Sequence, residues 1–169
     1  MDVFSRTFLP AAAETGMATT VISRHLPVFR RCVEPGDATV LVTRCIRPDR
    51  PGQGDYLLLL THRRLVVLRQ TRVLRQLRLH LNTELRHLSN VTWSPDPVLP
   101  AVELAATAVD GIRERFLIRA GRSRPVHQLD ALLTRAFRGA PTPPSWGRPA
   151  VAAVPAGGRS GRVGAALVV

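Results

Sequence analysis

The chain has 169 residues, a formal charge of +12 and a mean hydropathy of +0.04, enough apolar content for one cored domain with appendages. All 24 basic residues are Arg, a bias expected of GC-rich coding sequence, so the charge alone is discounted as a polyanion signature. Two cysteines, Cys32 and Cys45, are too few for a disulfide framework and lack metal-site spacing; reduced buried thiols of a cytoplasmic protein are expected.

Residues 1–19 carry no sustained pattern and are expected to be a flexible extension, with Met17 an alternative start. Neither a signal peptide nor a spanning segment of about 20 apolar residues is read. A folded domain is expected over 20–138. Pro27 suits the first position of a short helix over 27–33. The turn Glu34-Pro-Gly-Asp37 closes that helix, because the residue before Pro avoids helical geometry.

A first strand follows over 38–46, rich in Val, Thr and Ile. After the loop 47–54, Tyr56-Leu-Leu-Leu-Leu-Thr-His-Arg-Arg-Leu-Val-Val-Leu68 reads as a tight hairpin of two nearly all-apolar strands, 55–61 and 64–70. The segment 72–81 fits two periods. Val73, Leu77, Leu79 and Leu81 alternate as in a half-buried strand, whereas Leu74, Leu77, Leu81, Leu85 and Leu88 keep helical spacing. The strand is preferred, since Val67-Leu-Arg-Gln70 recurs as Val73-Leu-Arg-Gln76 across a turn. The helical alternative would make 64–88 an Arg-rich helix of a nucleic-acid-associated protein.

Further strands are expected over 85–93, 98–109 and 113–120, the last two joined at Asp110-Gly111. Val126, Leu129, Leu132, Leu133 and Phe137 then mark a closing amphipathic helix over 125–137. The tail 139–169, with its repeated Pro and Gly, is expected to be disordered. The fold class read is therefore mainly β, seven strands in a bent antiparallel sandwich or partly open barrel capped by a C-terminal helix.

Val33-Glu-Pro-Gly-Asp37 ahead of the first strand and Leu58-Leu-Leu-Thr61-His-Arg-Arg-Leu65 in the hairpin resemble bacterial pleckstrin-homology-like and GRAM-like domains. The resemblance covers 33–137. It departs from the pattern at Pro95-Asp-Pro97 and in the Arg-rich fourth strand. It implies a binding or adaptor module and a ligand region at the first loop.

No catalytic, cofactor or metal constellation is read. His25, His62, His80, His87 and His127 have no ligand partner at metal spacing, and no phosphate-binding loop or nucleophile motif occurs. Meander geometry places the loop after the first strand beside the end of the third. Arg44, Arg47, Arg50, Arg69 and Arg72 are therefore the candidate anion-binding group, suited to phosphate by their guanidinium forks. The expected partner is a protein, with an anionic lipid headgroup at a peripheral membrane site second and nucleic acid third.

Overall fold

The computed structural model describes residues 2–71 and 76–139. All but Gly139 of the tail expected over 139–169, together with Arg72 and most of the second copy of the tetrapeptide, lies outside these residues. Two helices, α1 (Val3–Glu14) and α2 (Thr19–Cys32), precede β1 (Thr39–Ile46), β2 (Asp55–Thr61), β3 (Arg64–Gln70), β4 (Leu77–Glu84), β5 (Ser89–Pro95), β6 (Ala101–Thr107) and β7 (Arg113–Arg119). The helix α3 (Val126–Arg138) closes the chain. The seven strands form one antiparallel sheet in the order β4-β3-β2-β1-β7-β6-β5, which stays open because β4 and β5 are both edges. The helix alternative for 64–88 is overturned: β3 pairs antiparallel with β4, Val67 facing Leu81.

The sheet bends so far that His80 of β4 reaches Glu114 of β7, across three intervening strands. Its concave face buries Leu41, Cys45, Tyr56, Leu58, Leu60, Leu65, Val67, Val102, Leu104, Phe116 and Ile118. Leu129 and Leu133 of α3 complete this core, and Trp93 stacks on Phe137 at 5.8 Å while donating its Nε1–H to Asp130 at 2.8 Å.

The convex face explains why the hairpin strands carry so little polar content. Leu57, Leu59, Val66 and Leu68 point outward, and α1 and α2 cover them with Phe4, Phe8, Ala12 and Phe29. Strands buried on both faces read as continuous apolar runs. The expected flexible extension over 1–19 is thus corrected. The carboxylate of Asp2 caps α1 by accepting from the Ser5 amide at 2.7 Å, and Phe4 and Phe8 are fully buried. The short helix over 27–33 is corrected too: α2 begins at Thr19 and Pro27 lies inside it.

Other boundaries moved as well, and β4, expected to end at Leu81, runs on to Glu84. Leu85–His87 is a 3-10 turn, so β5 starts at Ser89. The Asp96 carboxylate accepts from the amides of Val98 and Leu99 at 2.8 and 2.7 Å, holding a turn where a strand was expected, so β6 starts at Ala101. Those two amides also hold the Asp96 carboxyl below its usual pKa.

The two motifs behind the family resemblance meet in space. Asp37 is buried and accepts from the Thr61 hydroxyl at 2.5 Å, while the same hydroxyl oxygen receives the amides of Arg64 and Arg63 at 2.8 and 3.2 Å. The turn before β1 is thereby tied to the β2–β3 hairpin.

His25 of α2 is buried beside Phe29, and its Nδ1 lies 2.7 Å from the Val21 carbonyl. Burial pushes its pKa below 6.5 despite that hydrogen bond, with Arg24 and Arg44 adding to the shift. A folded pKa below the unfolded one means that the unfolded chain takes the proton first. His25 therefore costs nothing above about pH 6.5 and destabilises progressively as pH falls below it. The melting temperature should drop between pH 7.5 and 5, and His25→Phe should flatten that drop. An identical pH profile in the variant would remove His25 as its source.

Candidate anion-binding cleft

The five arginines expected to form one basic group do not converge. Arg47 is turned inward: its Nη2 lies 2.8 Å from Glu114 Oε2, and both side chains are only 11% exposed. Glu114 also receives His80 Nε2 at 3.2 Å. Arg47 is thus held in a polar cluster on the concave side. Arg69 is half-buried and donates from Nε to the Gln53 carbonyl at 2.8 Å, which seats the β1–β2 loop on the end of β3. That docking requires Gly54, whose φ is +116° and where a Cβ would lie 2.5 Å from the Gln70 carbonyl oxygen. Meander geometry did bring the loop to β3, but Arg69 serves the contact itself. Arg50 is exposed in the loop turn, and Arg44 stands on the convex face. Arg72 lies outside the described residues.

Arg44 instead borders a different site. β1 and β7 pair through only Cys45–Ile118 and Ile46–Leu117 and then separate. The gap opens into a cleft of about 560 Å3 between β1, β7, the C-terminal end of α1 and the turn from Gly121 to Arg124. Four arginines, Arg44, Arg119, Arg122 and Arg124, and two acidic residues, Glu14 and Asp55, line it. Ile46, Leu117 and Leu129 contribute apolar wall.

Arg124 distinguishes this cleft from an ordinary basic surface. It is 4% exposed, held where the Gly121–Arg124 bridge folds the chain back before α3. Its Nη2 donates to Glu14 Oε2 on α1, a contact across 110 positions of chain. Its Nε and Nη1 are buried and have no partner among the described residues. Unpartnered buried donors on a charged group are costly and rare in native folds, and commonly mark a water or ion position. The sequence held one signal for this site, the run Arg119-Ala-Gly-Arg-Ser-Arg124, but nothing in it told which Arg would be buried.

The other chemistry is sparse. Among the described residues no three His, Cys, Asp or Glu side chains gather as a metal would need, and no helix is long and apolar enough to cross a membrane. Burial pushes the Cys45 thiol far above its ordinary pKa, and burial raises that of Cys32 despite nearby Arg64, so both favour the protonated form. Comparison with protein families and with curated proteins finds no match.

Proposed function

We propose that this protein is a non-catalytic interaction module of the pleckstrin-homology-like kind, which receives an acidic group of its partner in the cleft between β1 and β7. The observation that carries the reading is Arg124, a buried guanidinium with two donor nitrogens unpartnered among the described residues, in a cleft lined by three further arginines. The strand order, the closing helix and the contact of Asp37 with Thr61 support the family resemblance. A protein partner is the first candidate and an acidic membrane surface the second. The nucleic-acid reading loses its basis, since it required a helix where β3 and β4 lie.

A module without chemistry of its own is defined by what it touches, so affinity capture from the native host is the direct test. Arg119→Glu with Arg122→Glu should lose the captured partner, because both side chains are exposed at the cleft and reversing them reverses the field a partner meets. Arg159→Glu with Arg162→Glu carries the same change of charge and should capture normally. Equal loss in both variants would mean that net charge alone drives association.

A further inference from the structure

We infer that Arg124 is the seat of a doubly charged phosphate group and that Glu14 is an internal carboxylate which the phosphate displaces. This rests on the cleft being the binding site and adds the chemistry of its ligand and its regulation. Four guanidinium groups against two carboxylates leave the lining with two positive charges in excess. Once Glu14 leaves, the excess is three; a phosphate monoester, with about −1.5 to −2 at neutral pH, offsets half of it or more, whereas a single carboxylate offsets a third. Guanidinium forks bind phosphate through two parallel N–H donors.

The geometry of the fork makes Glu14 a competitor. The two edges of a guanidinium that can grip an oxyanion are Nη1 with Nη2 and Nε with Nη2. Both include Nη2, the nitrogen that Glu14 holds. Nε and Nη1 are the two that remain unpartnered. Each edge uses one of the two Nη2 hydrogens, so Glu14 blocks the edge it occupies and its charge opposes an oxyanion at the other, and capture is tightest when the carboxylate yields. Glu14 is placed to do so. Its side chain is 58% exposed, so water is at hand when it leaves, and it ends α1, where the helix dipole disfavours a negative charge. Ligand capture thereby uncouples the end of α1 from the turn before α3.

The apolar wall at Ile46, Leu117 and Leu129 suits a phosphate attached to an organic body. A soluble phosphomonoester and a lipid headgroup present the same phosphate, and the same test separates them. Full-length protein is titrated calorimetrically with phenyl phosphate and with acetate at fixed ionic strength. Phenyl phosphate should bind saturably and acetate much more weakly. Glu14→Gln keeps the shape of the side chain and removes its charge, and it should tighten phenyl phosphate roughly twofold to fivefold, the worth of an exposed ion pair. Arg124→Lys keeps the charge and loses the fork, and should weaken binding by about tenfold or more in protein whose melting confirms folding.

Vesicles containing phosphatidic acid supply the second arm. Binding to them that phenyl phosphate competes away assigns the headgroup as source; phenyl phosphate binding without vesicle binding assigns a soluble phosphomonoester. Acetate binding as tightly as phenyl phosphate, or Glu14→Gln leaving affinity unchanged or weaker, overturns the inference. Absence of saturable phosphate binding overturns it too, even if Arg119→Glu with Arg122→Glu still abolishes partner capture. That last combination would leave the interaction module standing with a ligand of other chemistry.

Discussion

Phe8→Ala should lower the free energy of unfolding by about 3–5 kcal/mol, the usual range for emptying a buried Phe site. Phe8 is fully buried, with its ring centroid 5.3 Å from that of Phe4 and 5.8 Å from that of Phe29, and the three cover the outward face of β2 and β3. The aromatic pairs add to the loss of buried area. A denaturant titration reads the change through its midpoint, with the slope reporting whether α1 still docks. Were residues 1–19 a loose extension, the substitution would cost almost nothing. A change below about 1 kcal/mol would therefore show that α1 does not hold this position in solution. Leu9→Ala is the matched control, since Leu9 sits on the same helix and is exposed.

Glu114→Ala should be comparably destabilising, by about 3–5 kcal/mol, because it leaves Arg47 as a buried cation without its counter-ion. The expected loss exceeds that for an exposed pair such as Arg63 with Glu34, where both side chains are more than 60% exposed and under 1 kcal/mol is at stake. His80 loses its acceptor in the same substitution. Replacing both partners, Arg47→Met with Glu114→Leu, should recover most of the stability, since desolvation of the pair offsets much of its attraction. If the double variant is as unstable as the single one, the cluster contributes through shape or through groups other than the ion pair. Thermal and urea melts of the three proteins distinguish these cases. The outcome also bears on function. Arg47 lies in the loop where resemblance puts a ligand, yet its charge is neutralised inside the bend of the sheet, which leaves Arg50 as the exposed arginine of that loop, apart from those at β7 and the following turn.

The split of roles among the arginines shows why composition was a poor guide here. Arg115 is gripped by Glu103 at 2.9 and 3.0 Å and by Asp49 at 3.0 Å, contacts that raise its pKa, the Glu103 hydrogen bond foremost. Arg64 reaches Glu84, and Arg30 reaches Asp2. Many guanidinium groups thus tie neighbouring elements together at the surface. A chain that uses Arg for every cation supplies both latches and ligand donors from one residue type, and sequence offers no mark that separates them.

What the amino-acid order determined by itself was local. The hairpin 55–70 and the closing helix near 126–138 follow from apolar runs, from the turn residues between them and from spacings of three and four. The same reasoning could have reached α1 and α2. Phe4, Phe8, Ala11 and Ala12, then Val21, Ile22, His25, Leu26 and Phe29, keep helical spacing, and the two-sided apolar hairpin already demanded a second cover. Tertiary structure alone decided the rest. Whether Arg47 meets a partner or an anion depended on the bend that brings β7 opposite β4. That Arg124 is buried with two donors unpartnered among the described residues depended on β1 and β7 parting after two residue pairs, and on the end of α1 arriving beside the turn before α3. Those contacts join positions from opposite ends of the chain, and a pattern read over ten or fifteen residues carries no information about separations of that length.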